Sequence, residues 1–209
     1  MPTNRISRIA LGFGAAVPVL YFGAQVAAAP FLPGFSILRH SASMLGSDLS
    51  TRPEILNAGA MMTGLATLIA AVGFARGLRA AGVHPVIVWL TVLALVSHGL
   101  SSLWAASFPL PDRRHNPGPL SIGMFALPVL FLIGSLRMND ARHLRMYLLA
   151  NLIFFVAMIP VMAGKTGIDR ALYGGLLQRI GALALFLPIG VVAWHLRRRL
   201  AREPDSGVP

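Results

Sequence analysis

The sequence predicts an all-α fold, that of a polytopic integral membrane protein whose transmembrane helices form one bundle. Three observations lead to this prediction. The 209-residue chain is 56% hydrophobic and only 12% charged, whereas a soluble domain carries about 25% charged residues. Its mean hydropathy is +0.69. Six apolar runs recur along it, most of them near the length of about 20 residues that crosses roughly 30 Å of bilayer hydrocarbon.

The six runs leave no segment long enough for a soluble domain, so we predict a single transmembrane domain over residues 1–209. The fourth run is the shortest. The predicted helices are Ile9–Phe31, Ile55–Ala75, Pro85–Phe108, Leu120–Leu136, Met146–Ala163 and Gly175–Leu196.

The basic residues indicate the orientation. The net charge is +11, but the Lys and Arg residues fall between the apolar runs rather than in one stripe, which favours a membrane protein over a nucleic-acid-binding one. If both termini lie inside, 11 of these residues are on the inner side and 6 on the outer side. We therefore predict that the protein is integral to the cell membrane with both termini cytoplasmic. The chain has no Cys, which excludes disulfides and thiolate chemistry.

The entry to the second predicted helix, SASMLGSDLSTRPEILNAG, is rich in polar residues. Ser50 or Thr51 suits the N-cap, and Glu54 stands where the helix dipole favours an anion. Asn57 lies one turn inside the membrane, where its amide needs a partner, and Asp48 has no capping role. Both an ordinary helix start and part of a functional site fit this pattern.

The third predicted helix places His98 and Ser101 on one face. His98 lies about 15 Å below the outer end of the helix, and Ser101 lies nearer to that end. An ionisable residue at that depth indicates function, although a neutral imidazole bonded to a neighbouring helix is an equal alternative. Ser101, and Trp104 one turn further out, are candidates for contacting a ligand.

The following loop, FPLPDRRHN, combines acid, base and cations. Asp112 and His115 could form an acid–base pair or hold a metal, and Arg113 and Arg114 could meet a lipid phosphate. The alternative is a Pro-rich turn with solvated charges.

The sixth predicted helix opens with YGGLLQRIG. Its Arg179 lies about one turn below the outer surface, where a charge usually snorkels or pairs with an acid. We expect Glu54 to be that partner, either in a structural salt bridge or across the headgroup of an anionic ligand.

Four short motifs carry a resemblance to a known family: S-x-x-G, R-P-E-I-L-N-A-G, F-P-x-x-D-x-x-x-N and G-L-L-Q-R-I-G. Over roughly residues 36–200 the chain resembles the bacterial and archaeal membrane family called domain of unknown function 998, and more distantly the eukaryotic Frag1/DRAM/Sfk1 group. The resemblance implies a six-helix bundle, and the eukaryotic group's association with lipid remodelling implies a lipid ligand. The matching positions are Ser43, Gly46, Pro53, Glu54, Asn57, Gly59, Pro109, Asp112, His115, Gln178 and Arg179.

These observations predict an outward-facing polar site between helices that binds or processes a membrane lipid or isoprenoid by acid–base chemistry, for example cyclisation or isomerisation. No cofactor is predicted beyond a possible metal on His115 and Asp112. A non-catalytic lipid-binding or membrane-organising protein and a small transporter are the alternatives. The predicted catalytic residues are Asp48, Glu54, His98, Asp112 and His115. The predicted substrate-binding residues are Asn57, Ser101, Trp104, Arg113, Arg114, Gln178 and Arg179.

Overall fold

The computed structural model describes residues 2–139 and 141–202, and within these ranges it contains six α helices and no strand. Met1, Asp140 and residues 203–209, which belong to the predicted single domain, lie outside the described residues. The helices are α1 (Pro2–Ala28), α2 (Pro53–Ala80), α3 (Pro85–Ser107), α4 (Ile122–Ser135), α5 (Arg142–Met162) and α6 (Arg170–Arg202). The predicted all-α fold is confirmed.

Every one of these helices supplies a stretch long and apolar enough to cross a membrane. For α4 that stretch, Arg113–Ser135, includes the two 3-10 turns before it. Large apolar side chains cover the outside of the bundle; Val26 is 75% exposed and Ile122 is 69% exposed. Such a surface is stable against hydrocarbon and not against water, so the chain is a polytopic integral membrane protein.

Several helices are longer than the predicted spans. The first begins at Pro2 rather than Ile9, and the last runs from Arg170 to Arg202 rather than from Gly175 to Leu196. Hydropathy detects only the part of a helix that needs hydrocarbon around it. The additional turns carry Arg side chains, which can reach the headgroup region while the backbone stays helical.

The expected side-chain cap of α2 was wrong. The helix begins at Pro53 with Arg52 as its N-cap and without a side-chain cap. The hydroxyls of Ser50 and Thr51 instead donate to the carbonyl oxygen of Phe31, at 3.3 and 3.0 Å. Both serve the loop that precedes the helix.

The helices form a ring in chain order, in which each packs on the next and α6 closes on α1. Small residues set the closest approaches, as they do in many membrane bundles. A Cβ atom at Gly64 would lie 2.8 Å from the carbonyl oxygen of Gly99, so α2 and α3 are in backbone contact there. On the other side of the ring, Gly190 packs directly against Pro18.

The bundle has two different ends. We call the end with the connections 29–52, 108–121 and 163–169 the loop face, and the opposite end the terminal face. Packing is dense towards the terminal face, where the rings of Phe74 and Phe131 stack 5.4 Å apart. The described buried residues of α5, Leu144 and Leu148, also lie in the half of that helix nearest the terminal face. The loop half of the bundle is therefore the more open one.

The glycine contact between α2 and α3 generates a stability prediction. We expect Gly64→Ala to lower the free energy of unfolding by about 1–3 kcal/mol, because a methyl group would overlap backbone rather than a flexible side chain. Gly23→Ala on α1, where a methyl group would meet nothing within 4 Å, should be neutral or stabilising by up to about 1 kcal/mol. Thermal melts of both variants in one detergent test this; equal melting temperatures would contradict the close approach.

Candidate functional site

A cavity of about 930 Å³ opens between the helices in the loop half of the bundle. All of the helices contribute to its wall, together with the connections 29–52 and 108–121. Thr63 lines it ten residues after the start of α2, so the cavity reaches about 15 Å into the bundle. Pockets of this size commonly hold a small organic ligand.

The cavity exists because small side chains face it. Ala24, Ala60, Ala105, Gly181 and Ala182 all belong to its wall. Each fills little of the space between helices that are held apart elsewhere by larger residues. The sequence therefore leaves room for a ligand where a soluble core would be filled.

Aromatic rings close part of the wall deeper in the bundle. The Phe186 ring stacks on the Tyr21 ring with centroids 3.7 Å apart, and both residues line the cavity. Behind Phe186 lies the ring of His98, edge to face at 4.9 Å.

The wall between α4 and α5 faces the outside of the bundle. Phe125, Ile159 and Met162 line the cavity and are 50%, 52% and 36% exposed, a fraction that includes the area facing the cavity. The rings of Phe125 and Phe155 meet across this boundary at 6.3 Å. All of these side chains are apolar, so the cavity borders the lipid-facing surface here without a polar barrier.

Residues 29–52, which we call the cap segment, cover the loop end of the cavity and contribute Ala42 and Ser43 to its wall. The segment has a small core of its own around Leu32 and Leu45, which are 5% and 0% exposed. The carbonyl oxygen of Phe31 accepts from the backbone N–H of Thr51 at 2.8 Å, which closes the segment at its base.

Arg179 fastens the cap segment to α6. Its Nη1 donates to three carbonyl oxygens, those of His40 at 2.7 Å, Gly175 at 2.9 Å and Ile37 at 3.2 Å. The guanidinium also lies over the Phe35 ring, 5.6 Å from its centroid, within the range of a cation–π contact. The charge is thus partly compensated by dipoles and a ring, and the buried Nη2 has no hydrogen-bond partner among the described residues.

The expected direct pair of Arg179 with Glu54 is wrong for the described structure. Glu54 accepts from Nε of Arg52 at 2.5 Å, and both side chains are 60% exposed. Arg52 is only two residues away in the chain, so this pair forms without bringing distant segments together. An exposed pair of this kind stabilises little.

Two amide side chains complete the attachment of the cap segment and also line the cavity. The backbone N–H of Ala42 donates to Oε1 of Gln178 at 2.7 Å. Nδ2 of Asn57 donates to the carbonyl oxygen of Gly46 at 2.9 Å, which is the partner that the sequence analysis required for this amide. Both positions have a structural task and also belong to the cavity wall.

His115 is the one predicted catalytic residue, among those the sequence analysis proposed, that lines the cavity. Its Nδ1 lies 2.8 Å from the carbonyl oxygen of Phe108, and its Nε2 lies 2.9 Å from Oγ of Ser43. Because a carbonyl oxygen can only accept, Nδ1 carries the hydrogen. In the neutral ring Nε2 is then an acceptor, and Ser43 donates to it.

The predicted acid–base pair of Asp112 with His115 is replaced by an ion pair of Asp112 with Arg114, 2.7 Å long. Hydrogen bonds from the side chain and the backbone N–H of Arg114 lower the pKa of Asp112 to about 2. Since this pKa is below the ordinary value, the pair contributes to stability above about pH 4 and is lost as the pH falls towards 2. The carbonyl oxygen of Arg114 also accepts from Nε1 of Trp104 at 2.7 Å, so these residues stabilise the loop.

The remaining predicted residues are dispersed. Asp48 and Arg113 are exposed on the loop face. His98 is fully buried, and neither ring nitrogen has a hydrogen-bond partner within the described ranges, so the expected bond to a neighbouring helix is absent there. Ser101 is buried and lines the cavity, and its contact with a ligand stays a prediction. Over residues 2–139 and 141–202, no three His, Asp or Glu side chains form a group that could hold a metal.

Sequence reasoning singled out His115 but missed its partner. Ser43 is separated from it by 72 residues, and no spacing rule links a loop serine to a histidine in another loop. The available signal was that Ser43 and His115 both stand in the motifs of the family resemblance.

A protein-family model described as "Protein of unknown function (DUF998)" matches residues 15–195 of the chain. No curated protein and no solved structure matches it. The match includes the cap segment, α2 to α5, the parts of α1 and α6 that line the cavity, and both partners of the Ser43–His115 hydrogen bond.

The attachment of the cap segment generates the second prediction. We expect Arg179→Gln to lower the free energy of unfolding by about 1–3 kcal/mol, because hydrogen bonds from a charged donor are lost and two part-buried carbonyl groups, those of His40 and Gly175, lose their partner. Hydrogen exchange should also become faster across residues 36–46. Arg113→Gln, an equal loss of charge at an exposed site, should stay within about 0.5 kcal/mol. Identical exchange in the two variants would show that Arg179 does not hold the segment.

Proposed function

The chain belongs to the DUF998 family of proteins of unknown function, and we propose that it binds a lipid or isoprenoid with an uncharged polar end in the cavity of its loop half. The observation that carries the proposal is the distribution of side chains in the wall. Apolar residues of α4, α5 and α6 form one part of it, and uncharged polar groups from Ser43, Asn57, His115 and Gln178 gather near the cap segment. An amphiphile has the same two-part character.

We infer that the polar end of the ligand is uncharged because the described part of the wall lacks charged residues. In the part of the chain that the structure describes, no Asp, Glu, Lys or Arg lines the cavity. Arg179 does not line the cavity and donates from Nη1 to backbone oxygens, although its buried Nη2 has no partner among the described residues, and Arg114 pairs with Asp112. A phosphate or carboxylate in the cavity would therefore be desolvated without a counter-charge in the described wall, which is costly. Hydroxyl, ester or amide groups match the available donors and acceptors.

The apolar part of such a ligand has a direct route from the bilayer. The cavity-lining side chains of Phe125, Ile159 and Met162 stand at the junction of α4 and α5 and are all apolar. An acyl or prenyl chain can move between α4 and α5 without leaving an apolar environment. When the ligand's acyl or prenyl chain passes through this wall, it never contacts water. It has only to displace side chains of the protein.

Filling the cavity should prevent binding. Ala60 and Ala75 are both half-buried on α2, but only Ala60 lines the cavity. We expect Ala60→Phe to weaken binding of a pyrene-labelled monoacylglycerol about tenfold, which corresponds to about 1.4 kcal/mol. Ala75→Phe should leave the affinity unchanged. Fluorescence titration of the two variants, with mass spectrometry of lipid that co-purifies with each, measures the difference.

A second titration with pyrene-labelled phosphatidic acid of the same acyl length tests the chemistry of the polar end. The neutral probe should bind at least as tightly as the anionic probe, and its affinity should depend little on salt. Equal affinity of all variants for the monoacylglycerol would contradict the proposed site. A clear preference for the phosphate would contradict the uncharged end.

We also propose that the terminal face is cytoplasmic and that the protein resides in the cell membrane. The support is the excess of Lys and Arg in the segments at that face, 11 against 6. A reporter enzyme active only outside the cytoplasm, fused after Pro209, should be inactive, and the same reporter inserted in the 163–169 connection should be active. The reverse pattern would invert the orientation.

A further inference from the structure

We propose that Ser43 and His115 form a nucleophile–base pair that cleaves or transfers an acyl group of an ester-bearing amphiphile bound in the cavity. This inference rests on the proposed lipid-binding function and adds a reaction class and two catalytic residues to it. The observation that carries it is the chain of hydrogen bonds from Ser43 through the imidazole of His115 to the carbonyl oxygen of Phe108.

The geometry is that of an activated serine. Oγ of Ser43 lies 2.9 Å from Nε2 of His115, and Nδ1 of the same ring donates to the carbonyl oxygen of Phe108 at 2.8 Å. A nucleophile within hydrogen-bond reach of a base, and a base oriented by a third group, is the arrangement that nucleophilic catalysis requires. Here a backbone carbonyl fixes the tautomer that leaves Nε2 free to accept the proton.

The pair is held in place by other contacts. Ser43 lies in the 3-10 turn Ala42–Gly46, whose first backbone N–H is bound by Gln178. His115 ends the 3-10 turn Arg113–His115, which Asp112 caps by accepting from the backbone N–H of Arg114. The nucleophile and the base are thus positioned by two separate connections that meet at the cavity wall, where both residues are half-buried.

A donor for the developing negative charge is present in the same wall. Because Oε1 of Gln178 accepts from the backbone of Ala42, the NH₂ group of that amide is on the other side of the carboxamide carbon. Gln178 lines the cavity, and its Oε1 binds the backbone N–H of Ala42, the residue before Ser43. An N–H donor near a nucleophile is what an ester oxygen needs as it becomes an oxyanion.

The reaction follows from these groups. Oγ of Ser43 attacks the ester carbonyl carbon while its proton passes to Nε2 of His115. The tetrahedral intermediate collapses, the bond to the alkoxy oxygen breaks, and the leaving alcohol takes the proton from His115. Water then attacks the acyl-serine and gives a proton to His115, which returns it to Ser43 as the acid departs. A second alcohol in place of water would give acyl transfer.

The ester class follows from the cavity. An uncharged ester linkage suits a wall without charged residues, and its acyl chain suits the apolar surface of α4 and α5. The exposed carboxylates Asp48 and Glu54 lie outside the wall, so neither can protonate an alkene there as cyclisation would require.

The first test is covalent labelling of the intact protein in lipid nanodiscs by a decyl fluorophosphonate, read by mass spectrometry of peptides. We expect one label, on Ser43. His115→Gln should slow labelling about tenfold or more, and Ser43→Ala should abolish it. Ser41→Ala is the matched control, because Ser41 is also half-buried in the cap segment but does not line the cavity; it should label at the wild-type rate.

The second test uses the absence of Cys from the chain. Ser43→Cys keeps the size of the side chain and introduces a single thiol. Beside a histidine base that thiol should be alkylated by iodoacetamide at pH 7 about tenfold faster than the thiol of Ser41→Cys. Adding His115→Gln should remove the difference. This test does not depend on the folding of Ser43→Ala.

The outcomes separate the two proposals. No label on Ser43, a label that persists in Ser43→Ala, or alkylation of Ser43→Cys that ignores His115 would each overturn the nucleophile–base pair. If the wild-type protein still binds the pyrene-labelled monoacylglycerol in that case, the lipid-binding function stands without catalysis. Loss of that binding as well would remove both.

Discussion

The guanidinium of Arg179 holds together the part of this protein that regular helices cannot build. The cap segment is irregular backbone at the membrane boundary, and its carbonyl groups need donors that hydrocarbon does not supply. Arg179 gives one charged donor to Ile37, His40 and Gly175. That attachment brings Ala42 and Ser43 over the cavity. The polar end of the candidate site therefore depends on an arginine that does not itself line the cavity.

Small residues have two opposite effects in this bundle. At Gly64 and Gly99 the missing side chain lets two helix backbones touch, which tightens the ring. At Ala60 and Ala105 small side chains face the cavity and keep it open. The two effects differ only in whether the backbone of another helix lies opposite the small residue. Composition cannot reveal it, because both uses draw on the same residue types.

Two ion pairs of the loop face are local, and among the described residues no charged side chain lines the cavity. Arg52 meets Glu54 and Arg114 meets Asp112, each two residues apart. An ion pair between residues two apart fixes little additional backbone. Its formation therefore costs less conformational entropy than that of a pair between distant segments. Two of the carboxylates expected to act as acids and bases, Glu54 and Asp112, are thereby used in surface ion pairs. The chemistry available to a ligand is that of neutral groups, with the imidazole of His115 as the base.

The sequence by itself determined the class of protein, the number and order of the membrane spans and the family, because crossing hydrocarbon demands about 20 apolar residues at each pass and that demand is visible locally. It also identified His115, Asn57, Gln178 and Arg179 as positions of interest. Only the tertiary structure decided their partners. Ser43 and His115 are 72 residues apart, and Arg179 and His40 are 139 apart. No local periodicity encodes such pairings, since they arise only when the cap segment folds back over the ends of the helices.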